Sequence, residues 1–443
     1  MINKPKLIVT VDTEAFSLRA PDNYIKTLVY GHIDGEEWGI GRMMDIADKY
    51  GVKITFFLDF AEVEYYGDEM IGVGKYIVSR GHDLQIHCHA DCFIKTVNKK
   101  FPHIHKRYPD WFEDDEISEF MVDYCLEQYK KCTDKTPIVF RGGAYRFGTA
   151  LLKKLKERGI AADASYNCLR PNPLPITKQF VFENGIFELP VAVLPGENPV
   201  HTLNFNLELL YPRIKADTDR ILGLYDRFFC DFYRYYGADA IASLVMHSWS
   251  FCYDAKRYQT KGFLDRPNRY AAELFEQFLA RFHNKIDFIT ASQAVQLESK
   301  CFSKKLGFAE VSSLYSIMES GKLKSLEEQI QKEAVGRQIV VWGRGWIENK
   351  IVETHDIFTA LDVKFYISQD AESNRNWRGR PVVTFEESKV SPKRHYVIVC
   401  AQLIFSEIRE NLKKIGFLKN RDYCDVLEPG SMSKDGIISS YGK

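Results

Sequence analysis

The sequence predicts an α/β protein of two domains. Short, fully apolar segments such as 7–11 and 338–342 read as buried parallel strands. They alternate with helix-patterned segments over short connections, the spacing that builds a parallel sheet. At 443 residues the chain exceeds what one ordinary core fills. A composition of 45% hydrophobic and 27% charged residues is globular. Sixty basic residues balance sixty acidic ones, which argues against a nucleic-acid binder that relies on bulk charge.

Taken in order, the strand over 7–11 runs into Asp12, Thr13 and Glu14. A helix over 39–50 carries the apolar stripe Met43, Met44, Ile46 and Ala47, and Gly51 stops it. A strand over 52–58, a helix over 70–79 and a strand reaching His87 and His89 follow. Then come a helix over 116–132, a strand over 137–140 ending at Arg141-Gly142-Gly143, and an amphipathic helix over 150–158. Beyond Asp163 the pattern loosens. A strand over 187–191, an aromatic helix over 217–236, a strand over 241–246 leading into His247, a helix over 270–283 and a strand over 286–290 complete a first domain of residues 1–300. Charged helix formers suggest linking helices over 301–335. A second domain spans 336–443, with strands over 338–342, 363–367, 380–383 and 396–400 and a helix over 404–415.

Residues i and i+2 of a strand share a face, so His87 and His89 project together from a strand end, a natural site for a divalent metal. Asp91 continues that face as a third ligand or as an orienter of one ring. Asp12, Glu14, Arg141, Asp163 and His247 also fall at or just past strand ends, where α/β barrels and sheets keep their chemistry. Each alone is equally an ordinary cap, ion pair or polar strand end; their order is the informative feature.

That order resembles the polysaccharide deacetylases, the family 4 carbohydrate esterases with a NodB-type domain, over about residues 5–295. The family's Thr-Phe-Asp-Asp-Gly is similar to Thr10-Val11-Asp12-Thr13-Glu14. Its His-x-x-x-His stretch resembles Gly81-His82-Asp83-Leu84 leading into His87-Cys88-His89-Ala90-Asp91. Phe140-Arg141-Gly142-Gly143, Asp163-Ala164-Ser165-Tyr166 and Leu244-Val245-Met246-His247 are similar to the remaining motifs. The resemblance implies a distorted (β/α) barrel and a divalent metal, with zinc the first choice. Thr13 stands where the family has a metal-binding Asp, and Asp91 where it has its second metal His. The ligands implied are therefore His87, Glu14 and His89, with Asp91 or Asp12 as substitutes. The resemblance further implies Asp12 as general base, His247 as acid, Arg141 orienting Asp12 and Asp163 supporting His247. Tyr166 and Trp249 are expected to contact substrate.

In the second domain, Gly343-Arg344-Gly345 follows a strand and precedes a helix pattern, a weak anion-binding signal. The domain resembles small Rossmann-like modules of sugar-modifying enzymes, and Trp377-Arg378-Gly379-Arg380-Pro381-Val382 resembles their Gly-x-Pro-Val element. A nucleotide-sugar at Gly343 and Gly345 is the ligand this implies, with a docking module as the alternative. We find no signal peptide and no membrane span, and ten cysteines without a CxxC pair read as free thiols of a reducing cytoplasm. The expected function is a metal-dependent N-deacetylase acting on an N-acetylated sugar precursor in lipopolysaccharide, capsule or similar glycan assembly. The alternatives are an inactive relative that binds a nucleotide-sugar or glycan precursor, and a hydrolase of non-sugar amides.

Overall fold

The computed structural model describes residues 4–15, 24–104, 110–167, 179–192, 218–237, 239–252, 266–298, 305–306, 320–344, 348, 351–352, 355–368, 371, 375–400 and 405–426. Among them, one compact unit lies within residues 4–306 and a second within 320–426.

The strands of the first unit are β1 (Lys6–Thr13), β2 (His32–Ile33), β3 (Glu36–Glu37), β4 (Thr55–Asp59), β5 (Asp83–Cys88), β6 (Val139–Gly142), β7 (Ala162–Asp163), β8 (Phe180–Phe182), β9 (Phe187–Glu188), β10 (Ile241–His247), β11 (Asp287–Ile289) and β12 (Lys305–Leu306). β2 and β3 form a separate hairpin. The main sheet runs β10-β1-β4-β5-β6-β7-β9-β8-β12, with β11 also on β1. Every pairing in it is parallel except β8 with β9. That antiparallel step is a departure from the expected parallel sheet: the two strands are joined by a short turn at Gly185, whose φ is +85°. Helices Ile40–Lys49, Asp68–Ser79, Asp115–Lys130, Thr149–Glu157, Thr218–Tyr236 and Arg269–Phe282 lie between the strands, as parallel crossovers require.

The sheet curls back on itself. The Gln179 side chain accepts from Ile241 N (3.1 Å) and donates to Asp239 O (2.8 Å). Ala192 N donates to Ser243 O (3.3 Å). These bonds bring the far side of the sheet to β10 without a continuous ladder. Inside the curl, Ile8, Phe57, Val139, Ala162, Phe187 and Ile241, from six strands, share one buried cluster. Burying a large apolar side chain contributes about 1.5–3 kcal/mol, so this cluster is what holds the curl. Parallel register then sets the strand ends at one mouth: Asp12 is opposite His247, Asp59 opposite His87, and His87 opposite Arg141.

The second unit has strands β13 (Gln338–Trp342), β14 (Tyr366–Ile367), β15 (Asn376–Trp377), β16 (Arg380–Val383), β17 (His395–Val399) and β18 (Tyr423–Asp425). They are ordered β15-β16-β14-β13-β17-β18, parallel apart from β15 with β16. Alternate residues face two cores. Val341 and Ile398 pack with Leu323 and Ile330 of helix Ser320–Glu333. Val340, Trp342, Val397 and Val399 pack with Ile408 and Leu412 of helix Phe405–Lys414. Helix Ser320–Glu333, expected as a linker, is thus part of this unit's core, because its apolar residues Leu323 and Ile330 are buried there.

Candidate metal centre

Three donor atoms converge at the mouth of the first unit. Glu14 Oε1 lies 3.3 Å from His87 Nε2 and 3.3 Å from His89 Nε2. Glu14 and His87 are buried, and the His89 side chain is 16% exposed, which leaves one side of the group open. His87 Nδ1 is 2.9 Å from the Arg141 carbonyl, which only accepts, so that nitrogen donates. His89 Nδ1 lies 3.4 Å from Asp91 Oδ1, within ion-pair distance. Burial alone raises the Glu14 carboxyl, but the His89 charge, with hydrogen bonds from His87 and His89, outweighs it and holds the group well below the usual carboxylate range.

These residues fit a divalent metal. Two imidazole nitrogens and a carboxylate oxygen are a donor set that catalytic zinc sites use, with one position left open. Ligands about 2.0–2.1 Å from an ion at tetrahedral angles stand roughly 3.3–3.4 Å apart, the separation of Glu14 from both histidines. The three donors lie mutually within 4.8 Å, as do those of Asp12, Glu14 and His247.

Asp12 stands beside this group. Arg141, fully buried, donates from Nη1 to Asp12 Oδ1 (2.6 Å) and to Thr10 Oγ1 (3.0 Å), and from Nε to Ala164 O (3.1 Å). Its guanidinium also lies 4.0 Å from the Phe57 ring centroid. The expected pairing of Arg141 with Asp12 is thus present in the geometry. His247 Nε2 is 3.8 Å from Glu14 Oε1. Its ring stacks on Trp249, 4.7 Å between centroids at 24°.

Glu14, expected in place of Thr13, faces both histidines, and Thr13 is buried with its hydroxyl on Val11 O (3.3 Å). The other expected residues fall as follows. Asp91 is no member of the donor cluster; it backs His89, since the turn that starts at Ala90 carries it past the donors. Asp163, expected behind His247, accepts from Ser165 Oγ (2.7 Å) and Ser165 N (3.2 Å) and is paired in register with Glu188. Both carboxyls are fully buried, and burial together with Asp163 pushes Glu188 well up. Tyr166 is fully buried with its ring against Phe180 (5.6 Å) and Phe147 (6.0 Å), so it is core and presents no open face to a sugar. Trp249, 5% exposed, holds the His247 ring. In the second unit, Gly343 has φ +104° and donates to Ile367 O (2.9 Å), whereas Gly345 lies outside the described residues.

Sequence reading missed several groups around the site. Ser248 N donates to Asp12 O (2.9 Å) and Ser248 Oγ to Glu14 O (3.2 Å), tying the ends of β1 and β10 together. Asp59 and Glu62 were passed over too; the signal available was an acid closing the apolar run Phe56-Phe57-Leu58. In the second unit, Glu348 is buried and accepts from Tyr366 Oη (3.0 Å), Trp377 Nε1 (3.1 Å) and Arg378 Nε (2.9 Å).

No family model matches the chain. No curated protein matches it either. Among solved structures the chain is similar to one assigned as a polysaccharide deacetylase from Mycobacterium smegmatis, at 16% identity over 69% of this chain and 94% of that one, with a TM-score of 0.46. It is also similar to Puue allantoinase, at 13% identity over 68% of this chain and 92% of that one, TM-score 0.41. A third is the catalytic domain of peptidoglycan N-acetylglucosamine deacetylase from Eubacterium rectale ATCC 33656, at 11% identity over 66% and 91%, TM-score 0.34. Likeness at this level leaves the functional reading to the residues themselves.

Proposed function

We propose that the first unit is a metal-dependent hydrolase that removes the N-acetyl group from an amino sugar during glycan assembly. The observation that carries this is Glu14 Oε1 at 3.3 Å from both His87 Nε2 and His89 Nε2, with the Asp12–Arg141 pair and His247 alongside. His87, His89 and Glu14 would hold the ion. When bound, it supplies a Lewis acid for the acyl oxygen and a lower pKa for an attacking water. Asp12, held by Arg141, takes a proton from the attacking water. His247, on the other side of Glu14 and steadied by Trp249, delivers a proton to the departing amine nitrogen. Arg141 serves both sides of the site, through its side chain on Asp12 and its carbonyl on His87 Nδ1.

The replacement of the expected Asp at Thr13 is matched by Glu14, which reaches both histidines; this favours a working centre over a decayed one. Acetate release from nucleotide- and lipid-linked N-acetyl amino sugars, with zinc-, cobalt- and manganese-loaded protein, tests the reading. We expect turnover on one such donor and its loss in His247→Ala; simple amides hydrolysed in preference to every acetamido sugar would overturn the substrate class. For the second unit we propose that a nucleotide-sugar binds beside Gly343, which has φ +104° just past the carboxyl end of a parallel strand. Calorimetric titration with uridine diphosphate sugars tests that part, and the absence of heat would remove it.

A further inference from the structure

We propose that Asp59 and Glu62 form a carboxylate brace that holds two of the three metal donors in place, Asp59 through His89 and Glu62 through Glu14. The inference rests on the metal-centre reading above.

The need for a brace follows from where the strands stop. His87 lies inside β5 and is held by ladders on both sides, opposite Asp59 and opposite Arg141. His89 and Glu14 do not share that support. β5 ends at Cys88, and His89 starts the 3₁₀ turn Ala90–Phe93. β1 ends at Thr13, so Glu14 and Ala15 are already beyond the sheet. A backbone N–H past a strand end has no ladder partner and needs another acceptor when buried.

Both acceptors come from one short segment after β4. Asp59 Oδ1 accepts from His89 N (3.2 Å) and from Ala61 N (3.0 Å). Glu62 Oε2 accepts from Ala15 N (2.6 Å), the residue directly after Glu14. Asp59 is fully buried and Glu62 is 2% exposed. They sit at either end of the single 3₁₀ turn Phe60–Glu62, which Asp59 itself caps. One rigid turn therefore fixes the spacing between the Glu14 arm and the His89 arm. Asp59 Oδ2 is buried without a hydrogen-bond partner.

The brace also accounts for a histidine pair two residues apart serving one ion. With the second histidine just past the strand end, its position depends on an anchor outside the sheet, and Asp59 is that anchor.

The test is zinc affinity by competition with a chromophoric chelator, measured on wild type, Asp59→Ala, Asp59→Asn, Glu62→Ala and Glu62→Gln. Circular dichroism melts of the metal-free proteins run in parallel. Loss of a group that orients a ligand weakens metal binding by about 10–100-fold. We expect that loss in both alanine variants. Asn and Gln keep an acceptor oxygen for the N–H, so these variants should recover a substantial part of it. Folded alanine variants that bind zinc within twofold of wild type would overturn the brace. So would weak binding that tracks only a lowered melting temperature. If an alanine variant does not fold, Asp59→Leu or Glu62→Met, which fill the space without an acceptor, decides: zinc binding weakened tenfold or more supports the brace, and wild-type affinity overturns it. Wild type that binds no metal overturns the metal-centre reading instead, a distinguishable failure.

Discussion

Arg141 carries more of the site than any other single residue. It is fully buried, ion-paired to Asp12, bonded to Thr10 and Ala164, and its carbonyl sets the tautomer of His87. Removing one partner of a buried pair leaves the other charge uncompensated, at a cost of about 3–5 kcal/mol. Arg141→Ala should therefore lower the urea midpoint by that equivalent as well as abolish turnover; equilibrium unfolding followed by tryptophan fluorescence measures it. A second residue-scale prediction concerns pH. His82 is buried with Nδ1 accepting from Ile54 N (3.0 Å). Burial, helped by Lys53, pushes its imidazole from 6.5 down to about 4. The unfolded chain thus binds a proton below pH 6.5 that the folded chain refuses until about pH 4. Stability present above pH 6.5 is lost as pH falls through that window, by about 2–3 kcal/mol. Urea midpoints at pH 7 and pH 4.5 should differ less in His82→Gln than in wild type. His87 and His89 stood out in the sequence because a period of two sets them on one face, and Asp12, Glu14 and Arg141 because apolar runs end at them. Asp59 and Glu62 were not, because they act on the backbone N–H groups of residues 30 and 47 positions away.

At the scale of elements, the site depends on how closely the turn after β6 passes His89. A Cβ built on Gly143 would stand 2.5 Å from Cγ of the His89 ring. Gly143 is outside the left-handed region, so alanine there strains no backbone, and the nearest atoms its Cβ meets are those of the ring. Gly143→Ala should displace His89, weaken zinc by about tenfold or more, and leave the metal-free melting temperature nearly unchanged; chelator competition and a thermal melt on the same sample check it. The strands at the centre of the sheet were predictable from their apolar runs, and their bounds fell within a few residues. The hairpin of β2 and β3 and the strand β8 were not, because two- and three-residue strands carry no period, whereas β9 falls within the strand read over 187–191. Tyr166 was misread for a related reason: an aromatic residue after a strand looks the same in sequence whether it lines a cleft or, as here, fills the core.

For the whole molecule, two compact units, each with its own buried clusters, predict two unfolding events. Zinc should raise only the transition of the unit that holds Glu14, His87 and His89, by mass action on its folded state. Glu348→Ala should lower only the other, because it removes the acceptor of Tyr366, Trp377 and Arg378. Differential scanning calorimetry of the full chain reads both. The alternation of strand and helix foretold both units. The boundary between them was less legible, because the charged surface of helix Ser320–Glu333 hides two residues, Leu323 and Ile330, that belong to the second core. No described helix is long and apolar enough to cross a membrane.

The most direct measurement is metal stoichiometry on the purified full chain by mass spectrometry, for wild type and His87→Ala. One divalent ion per wild-type chain, lost in the folded His87→Ala variant, is the predicted result. A wild-type chain that takes up no zinc, cobalt or manganese, or a His87→Ala variant that retains a full equivalent, would contradict the metal centre on which the proposed hydrolysis depends.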